Sequence, residues 1–214
     1  MALQSAGSAV RDPAQVGMRP DPGRASDSPP DAAAAGEVDV PAGLVGRAQR
    51  LQTVCLAGGR TVALAESCTG GLVAAALTAV PGSSGYVVGG VVAYADEAKR
   101  DLLDVPADVL AAHGAVSAQV ARAMALGARH RLGAHIGASV TGIAGPDGGS
   151  EAKPVGLTYV AVADDDGTDV RRVVWSGDRT ANRIDSAVLV LDVLLDRVRG
   201  SDSGGQTATV TESE

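Results

Sequence analysis

Between Pro81 and Leu103 the chain reads PGSSGYVVGGVVAYADEAKRDLL, which sets two serines, two tyrosines and one lysine around a run of small apolar residues. A serine hydroxyl attacks a carbonyl only once a base has taken its proton, and this stretch holds no histidine to do so. Lys99 is the base within reach, because a lysine that burial keeps partly neutral accepts a proton whereas arginine stays charged. Lys99 and Lys153 are the two lysines of the chain, and its other cationic side chains are arginines. The competing reading places Lys99 on the surface of a helix DEAKRDLL, paired with Asp96 or Glu97. His113 and His130 lie on or near helices and His135 opens a strand, which suits solvent-facing or packing roles.

Three further polar, glycine-rich segments adjoin apolar runs: ESCTGG (66–71), TGIAGPDGGSEAKPVG (141–156) and SGDRT (176–180). ESCTGG lies between a predicted strand and a predicted helix. Its backbone amides there suit a phosphate or carboxylate, with Gly70 and Gly71 allowing close approach. The alternative is a plain strand-to-helix turn capped by Thr69. Ser67 is a second candidate nucleophile, and Cys68 beside it reads as a small buried thiol. Asp147 and Glu151 could suggest a metal site, but PDGG, which holds Asp147, reads as a turn rather than a metal cage.

Loops of this kind need a scaffold that brings them together. Leu44, Ala48, Leu51 and Val54 share one helical face, and GGR at 58–60 ends that helix before the strand TVALAE. A helix over Leu72–Val80, a strand over Tyr86–Tyr94 and a short helix over Asp96–Leu103 follow. Ser117 caps a helix running through Arg131. IGASVT, LTYVAVAD and VRRVVW read as strands, the last two joined by a hairpin turn, and a long amphipathic helix starts after Thr180. This order predicts an α/β protein, a three-layer α/β/α sandwich with a mixed, mostly parallel sheet, in which ligands bind at the strand ends.

Composition bounds the rest. The chain has 214 residues, no Phe and a single tryptophan, Trp175, so its core is built from Ala, Val, Leu and Ile. Residues 1–40 are rich in Pro, Asp, Ser, Gly and Ala and residues 200–214 are likewise small and polar, both with few large apolar groups, and they read as a disordered extension and tail around one domain at 41–199. A net charge of −7 argues against a nucleic-acid partner. No apolar run suits a membrane span or a secretory signal, and two cysteines fit a reduced, cytoplasmic chain.

ESCTGG, GSSGYVVGGVVAYADEAK, HGAVS, TGIAGPDGGSEAKPVG and SGDR, in this order, resemble the CinA C-terminal domain family from about Ala42 to Val198. The resemblance implies an α/β/α fold and hydrolysis of nicotinamide mononucleotide to nicotinic acid mononucleotide and ammonia. It implies a Ser/Lys pair, with Ser84 as nucleophile, Lys99 as base and Tyr94 beside it. Ser67, Thr141 and Arg179 match other polar positions of the pocket. With Thr69, Gly70, Gly71 and Gly142 they form the expected substrate site, Arg179 and the ESCTGG amides facing the phosphate. No metal or cofactor is called for, and a homo-oligomer is expected. The family's association with competence and DNA damage supports an alternative, a non-catalytic nucleotide-binding regulator.

Overall fold

The computed structural model describes residues 40–202; the extension at 1–39 and the tail after 202 lie outside the described residues. The elements run α1 (Ala42–Ala57), β1 (Val62–Glu66), α2 (Leu72–Thr78), a single 3₁₀ turn at Ser83–Gly85, β2 (Val87–Val92), α3 (Asp96–Leu103), α4 (Ala107–His113), α5 (Ala118–Leu132), β3 (Ile136–Gly142), β4 (Leu157–Asp164), β5 (Gly167–Val174) and α6 (Arg179–Asp202). The five strands form one sheet in the order β2-β1-β3-β4-β5. β2, β1 and β3 are parallel, β4 is antiparallel to both its neighbours, and β4 and β5 form the predicted hairpin, Asp164 pairing with Gly167. One strand therefore runs against the other four.

Apolar periodicity decides which face each helix covers. Leu44, Ala48, Leu51 and Cys55 of α1, Val73 and Leu77 of α2 and Leu191 and Leu194 of α6 pack with Leu64, Ile136, Val140 and Val162 on one side of the sheet. Ala63, Ala65, Leu103, Val120, Met124 and Ala128 form the core on the other side, beneath α3, α4 and α5. With both faces covered, all five residues of β1 are buried, and the strand reads as an unbroken apolar run until its final Glu66. The result is the three-layer α/β/α sandwich.

Local rules explain several boundaries. The Ser117 hydroxyl accepts from the Val120 amide at 3.3 Å and so caps α5. Asp104, in the left-handed conformation at φ 54°, stops α3. α4 was not foreseen: its seven residues follow Pro106, which fixes an extended entry, and are too few to show a period. β5 begins at Gly167, three residues before the predicted start, because residues assigned to the turn already pair with β4. α6 continues past Arg199, the expected end of the domain, to Asp202.

Candidate active site at the carboxyl edge of the sheet

Because β2, β1 and β3 point the same way, the segments that follow them emerge on one edge: YADEAK after β2, ESCTGG after β1 and TGIAG after β3. β5 ends on that edge too and leads through SGD into α6, whose first turn carries Arg179. Asp178 caps this helix, its carboxylate accepting from the Ala181 amide at 2.8 Å. Tyr94, Lys99, Ser67, Thr69, Gly70, Gly71, Thr141, Gly142 and Arg179 all belong to this edge.

Lys99 is a buried residue, 1 % exposed. It lies four residues before Leu103, so the two share the face of α3 turned to the protein interior. Its ammonium donates to the Tyr94 carbonyl at 3.0 Å and reaches Asp96 Oδ1 at 3.4 Å. Lys99 does pair with Asp96, yet it is inside the protein rather than on a helix surface. Tyr94 is 59 % exposed. Its hydroxyl accepts from Arg179 Nη2 at 3.2 Å, while Arg179 Nη1 donates to the Gly145 carbonyl at 2.8 Å. Arg179 therefore ties the end of β2 to the TGIAG loop and the start of α6.

The ESCTGG turn differs from the expected anion cradle. The buried Glu66 carboxylate accepts from the Thr69 hydroxyl at 2.7 Å and from the amides of Gly71, Val73 and Ala74 at 3.0, 3.2 and 2.8 Å. The Gly70 amide donates to the Ser67 carbonyl. Of the amides assigned to a phosphate, that of Gly71 is taken by the chain's own carboxylate and that of Gly70 by the Ser67 carbonyl, the carboxylate being favoured by the field of a helix start. The cation here is Arg183, whose guanidinium donates to the Thr69 carbonyl at 2.7 Å. Sequence reasoning missed both Glu66 and Arg183. Glu66 was visible as the single charge in a buried strand, whereas Arg183 needed the geometry of α6.

Thr141 is buried and its hydroxyl donates to the Ala115 carbonyl at 2.8 Å, joining HGAVS to TGIAG. A Cβ on Gly142 would stand 2.7 Å from the Leu157 carbonyl oxygen and 3.2 Å from Cys68 Sγ, so close packing requires this glycine. Asn182, unassigned in the sequence, clamps the same loop: its amide donates to the Ala144 carbonyl and accepts from the Gly177 amide, both at 3.0 Å. Ser67 is buried, with its amide held by Val140 of β3. Burial pushes the Cys68 thiol up to about 11, which leaves it a packing residue. Among the described residues no cluster of three metal-ligating side chains occurs.

Ser84 is placed elsewhere. It lies in the 3₁₀ turn that enters β2, exposed, next to the C-terminal end of α1, where a Cβ on Gly85 would touch Leu56 at 2.9 Å. Lys99 follows the other end of β2. The six residues of Val87–Val92 separate them by about 20 Å at the rise of a strand. One chain therefore does not bring Ser84 to Lys99.

The model of the CinA C-terminal domain matches residues 46–198. The chain belongs to the CinA C-terminal domain family. A CinA-like protein from Geobacter sulfurreducens is 56 % identical over 140 residues, covering 65 % of this chain and 34 % of the relative. A putative competence-damage inducible protein from Desulforudis audaxviator is 56 % identical over 126 residues, 59 % of this chain and 30 % of the relative. The chain thus spans about a third of the length of these relatives. Among solved structures, the competence/damage inducible protein CihA from Agrobacterium tumefaciens superposes with a TM-score of 0.72 at 41 % identity, covering 75 % of this chain and 98 % of that one. A CinA superfamily protein from Klebsiella pneumoniae gives 0.71 at 32 % identity, with 73 % and 98 % coverage. The whole α/β/α unit is the CinA domain.

Proposed function

We propose that this CinA-family chain is an amidohydrolase that deamidates nicotinamide mononucleotide to nicotinic acid mononucleotide, with Ser84 as nucleophile and Lys99 as base. The observation that carries the reading is a buried lysine at the carboxyl edge of the sheet, joined through Tyr94 to Arg179. The lysine nitrogen is held at a strand end, where α/β folds take their ligands, and Arg179 offers its remaining N–H donors to a phosphate.

The chemistry balances without a cofactor. Ser84 Oγ bonds to the carboxamide carbon as Lys99 Nζ takes the hydroxyl proton; the C–N bond then breaks as that proton passes to the leaving nitrogen, giving ammonia and an acyl-serine. Water, deprotonated by the same lysine, cleaves the ester to the carboxylate and restores Ser84.

Ammonia release by the purified chain tests this, with nicotinamide mononucleotide and free nicotinamide as alternative substrates. Turnover of the mononucleotide supports the enzyme. A second reading, a nucleotide-binding regulator, is favoured by the separation of Ser84 from Lys99 within one chain, and it predicts saturable binding without turnover. Arg179→Ala is expected to weaken the mononucleotide roughly 10- to 100-fold, the value of a charge-assisted hydrogen bond, and to affect free nicotinamide far less. Equal losses for the two compounds remove Arg179 from the phosphate.

A further inference from the structure

Ser84 sits on a turn that the rest of the protein holds by few bonds. The backbone bonds of PGSSG are local: the Ser83 amide donates to the Val80 carbonyl at 3.1 Å, the Gly85 amide to the Gly82 carbonyl at 3.1 Å and the Tyr86 amide to the Ser83 carbonyl at 3.0 Å. Neither the Ser83 nor the Ser84 hydroxyl has a hydrogen-bond partner among the described residues. One side chain reaches in from outside. Gln52 of α1 donates through Nε2 to the Pro81 carbonyl at 3.0 Å, and among the described residues this is the single side-chain hydrogen bond made to residues 81–85. Two glycines let the turn settle there. A Cβ on Gly82, whose φ is 85°, would stand 3.2 Å from Gln52 Nε2, and one on Gly85 would meet Leu56. Gln52 and Leu56 are four residues apart, so they form one stripe of α1 facing the turn.

The other half of the Gln52 amide is left unsatisfied. Gln52 Oε1 is buried without a partner, whereas Pro81 is exposed and its carbonyl is open to water. Turning the amide over would set Oε1 against the Pro81 oxygen, two acceptors face to face. Stability alone therefore does not favour glutamine at this position, because an apolar side chain of the same length would leave no buried oxygen unpaired. What the glutamine supplies is a fixed link between a rigid helix and the turn.

We infer that Gln52 is a positioning residue for the nucleophile: its bond to Pro81 fixes the turn so that Ser84 Oγ is presented in one direction. The inference rests on the reading of Ser84 as nucleophile proposed above. Gln52 acts through the Pro81 carbonyl, three residues before the serine, rather than on the substrate. A reacting atom set about 1 Å out of place costs up to about 10²-fold in rate, so one hydrogen bond here has a leverage on turnover that it lacks on stability.

Gln52→Met separates the two effects. It keeps the length of the side chain, loses the donor and removes the unpaired oxygen. It is expected to melt at or above the wild-type midpoint, while kcat for ammonia release from nicotinamide mononucleotide falls about 10- to 100-fold. KM should stay as it is, since the substrate contacts at Arg179 are untouched and the interaction lost belongs to the transition state. Gln52→Lys restores an N–H donor and is expected to recover most of kcat. Hydrogen exchange read by mass spectrometry needs no turnover, and it should show the amides at 83–86 exchanging faster in Gln52→Met than in wild type or Gln52→Lys.

A wild-type kcat in Gln52→Met overturns the inference, as does a kcat that falls only in step with a lowered melting midpoint. Exchange at 83–86 that the substitution leaves unchanged overturns it too, and so does a Gln52→Lys protein as slow as Gln52→Met. Wild type that releases no ammonia, with exchange at 83–86 still faster in Gln52→Met, sinks the amidase reading instead: Gln52 then holds the turn, and Ser84 is no nucleophile.

Discussion

At the scale of single residues, the two polar groups that the fold fails to satisfy are as informative as those it uses. Gln52 Oε1 and the Tyr86 hydroxyl are buried without a hydrogen-bond partner among the described residues. Burial, and to a lesser extent the neighbouring Cys55, drives the Tyr86 phenol above its ordinary range. An unpaired buried hydroxyl has lost its water without recompense. Tyr86→Phe is therefore expected to raise stability, by up to about 1 kcal/mol, and thermal melting should show an equal or higher midpoint; a clear drop would reveal a partner for the hydroxyl. The thiols behave alike: burial raises Cys55 to about 12 and Cys68 to about 11. Burial holds both in the thiol form near neutral pH, so both should resist an aromatic disulfide reagent until denaturant is added. Rapid labelling of the native protein would show Cys68 to be reactive rather than a packing residue.

At the scale of elements, tight crossings are made by glycines. A Cβ on Gly127 of α5 would lie 2.0 Å from the Leu103 carbonyl oxygen at the end of α3, the helix that buries Lys99. Gly127→Ala must push these helices apart, and a loss of about 1–3 kcal/mol is expected in denaturant melts. An unchanged melt would mean that α3 yields freely. This crossing was invisible in the sequence, although the helices themselves were plain from apolar spacing and caps such as Ser117. The strands were equally legible, since β1 and β4 are buried runs and the hairpin has a turn of aspartates. The partnership of loops was less so. Ser84 and Lys99 look close because a short segment joins them, but that segment is a strand, the form of chain that separates its ends most. The ESCTGG turn was read for its glycines, while its glutamate, which fills the helix start, passed unremarked because spacing does not show where a carboxylate folds back.

At the scale of the whole molecule, the far end of the sheet is fastened by a charge cluster. Asp164, at the end of β4, is buried and forms an ion pair with Arg197 of α6, which also meets Asp169 of β5 at 3.0 Å. Burial alone would raise the Asp164 carboxyl, but hydrogen bonds and charge from Arg197 outweigh it and hold it below its usual value. As pH falls, the unfolded chain takes up this proton before the native one does. The pair's contribution is thus present above about pH 4 and is lost as pH drops through the lower native value. Asp164→Asn is expected to cost about 2–3 kcal/mol at pH 7, and the difference from wild type should close in acid. Urea melts at several pH values measure this; a gap constant down to pH 2 would remove Asp164 from acid sensitivity.

The bare margin of β2 bears finally on how the chain behaves when concentrated. An uncharged strand edge invites pairing with another chain, and such pairing obeys mass action, so any association made through it fades on dilution.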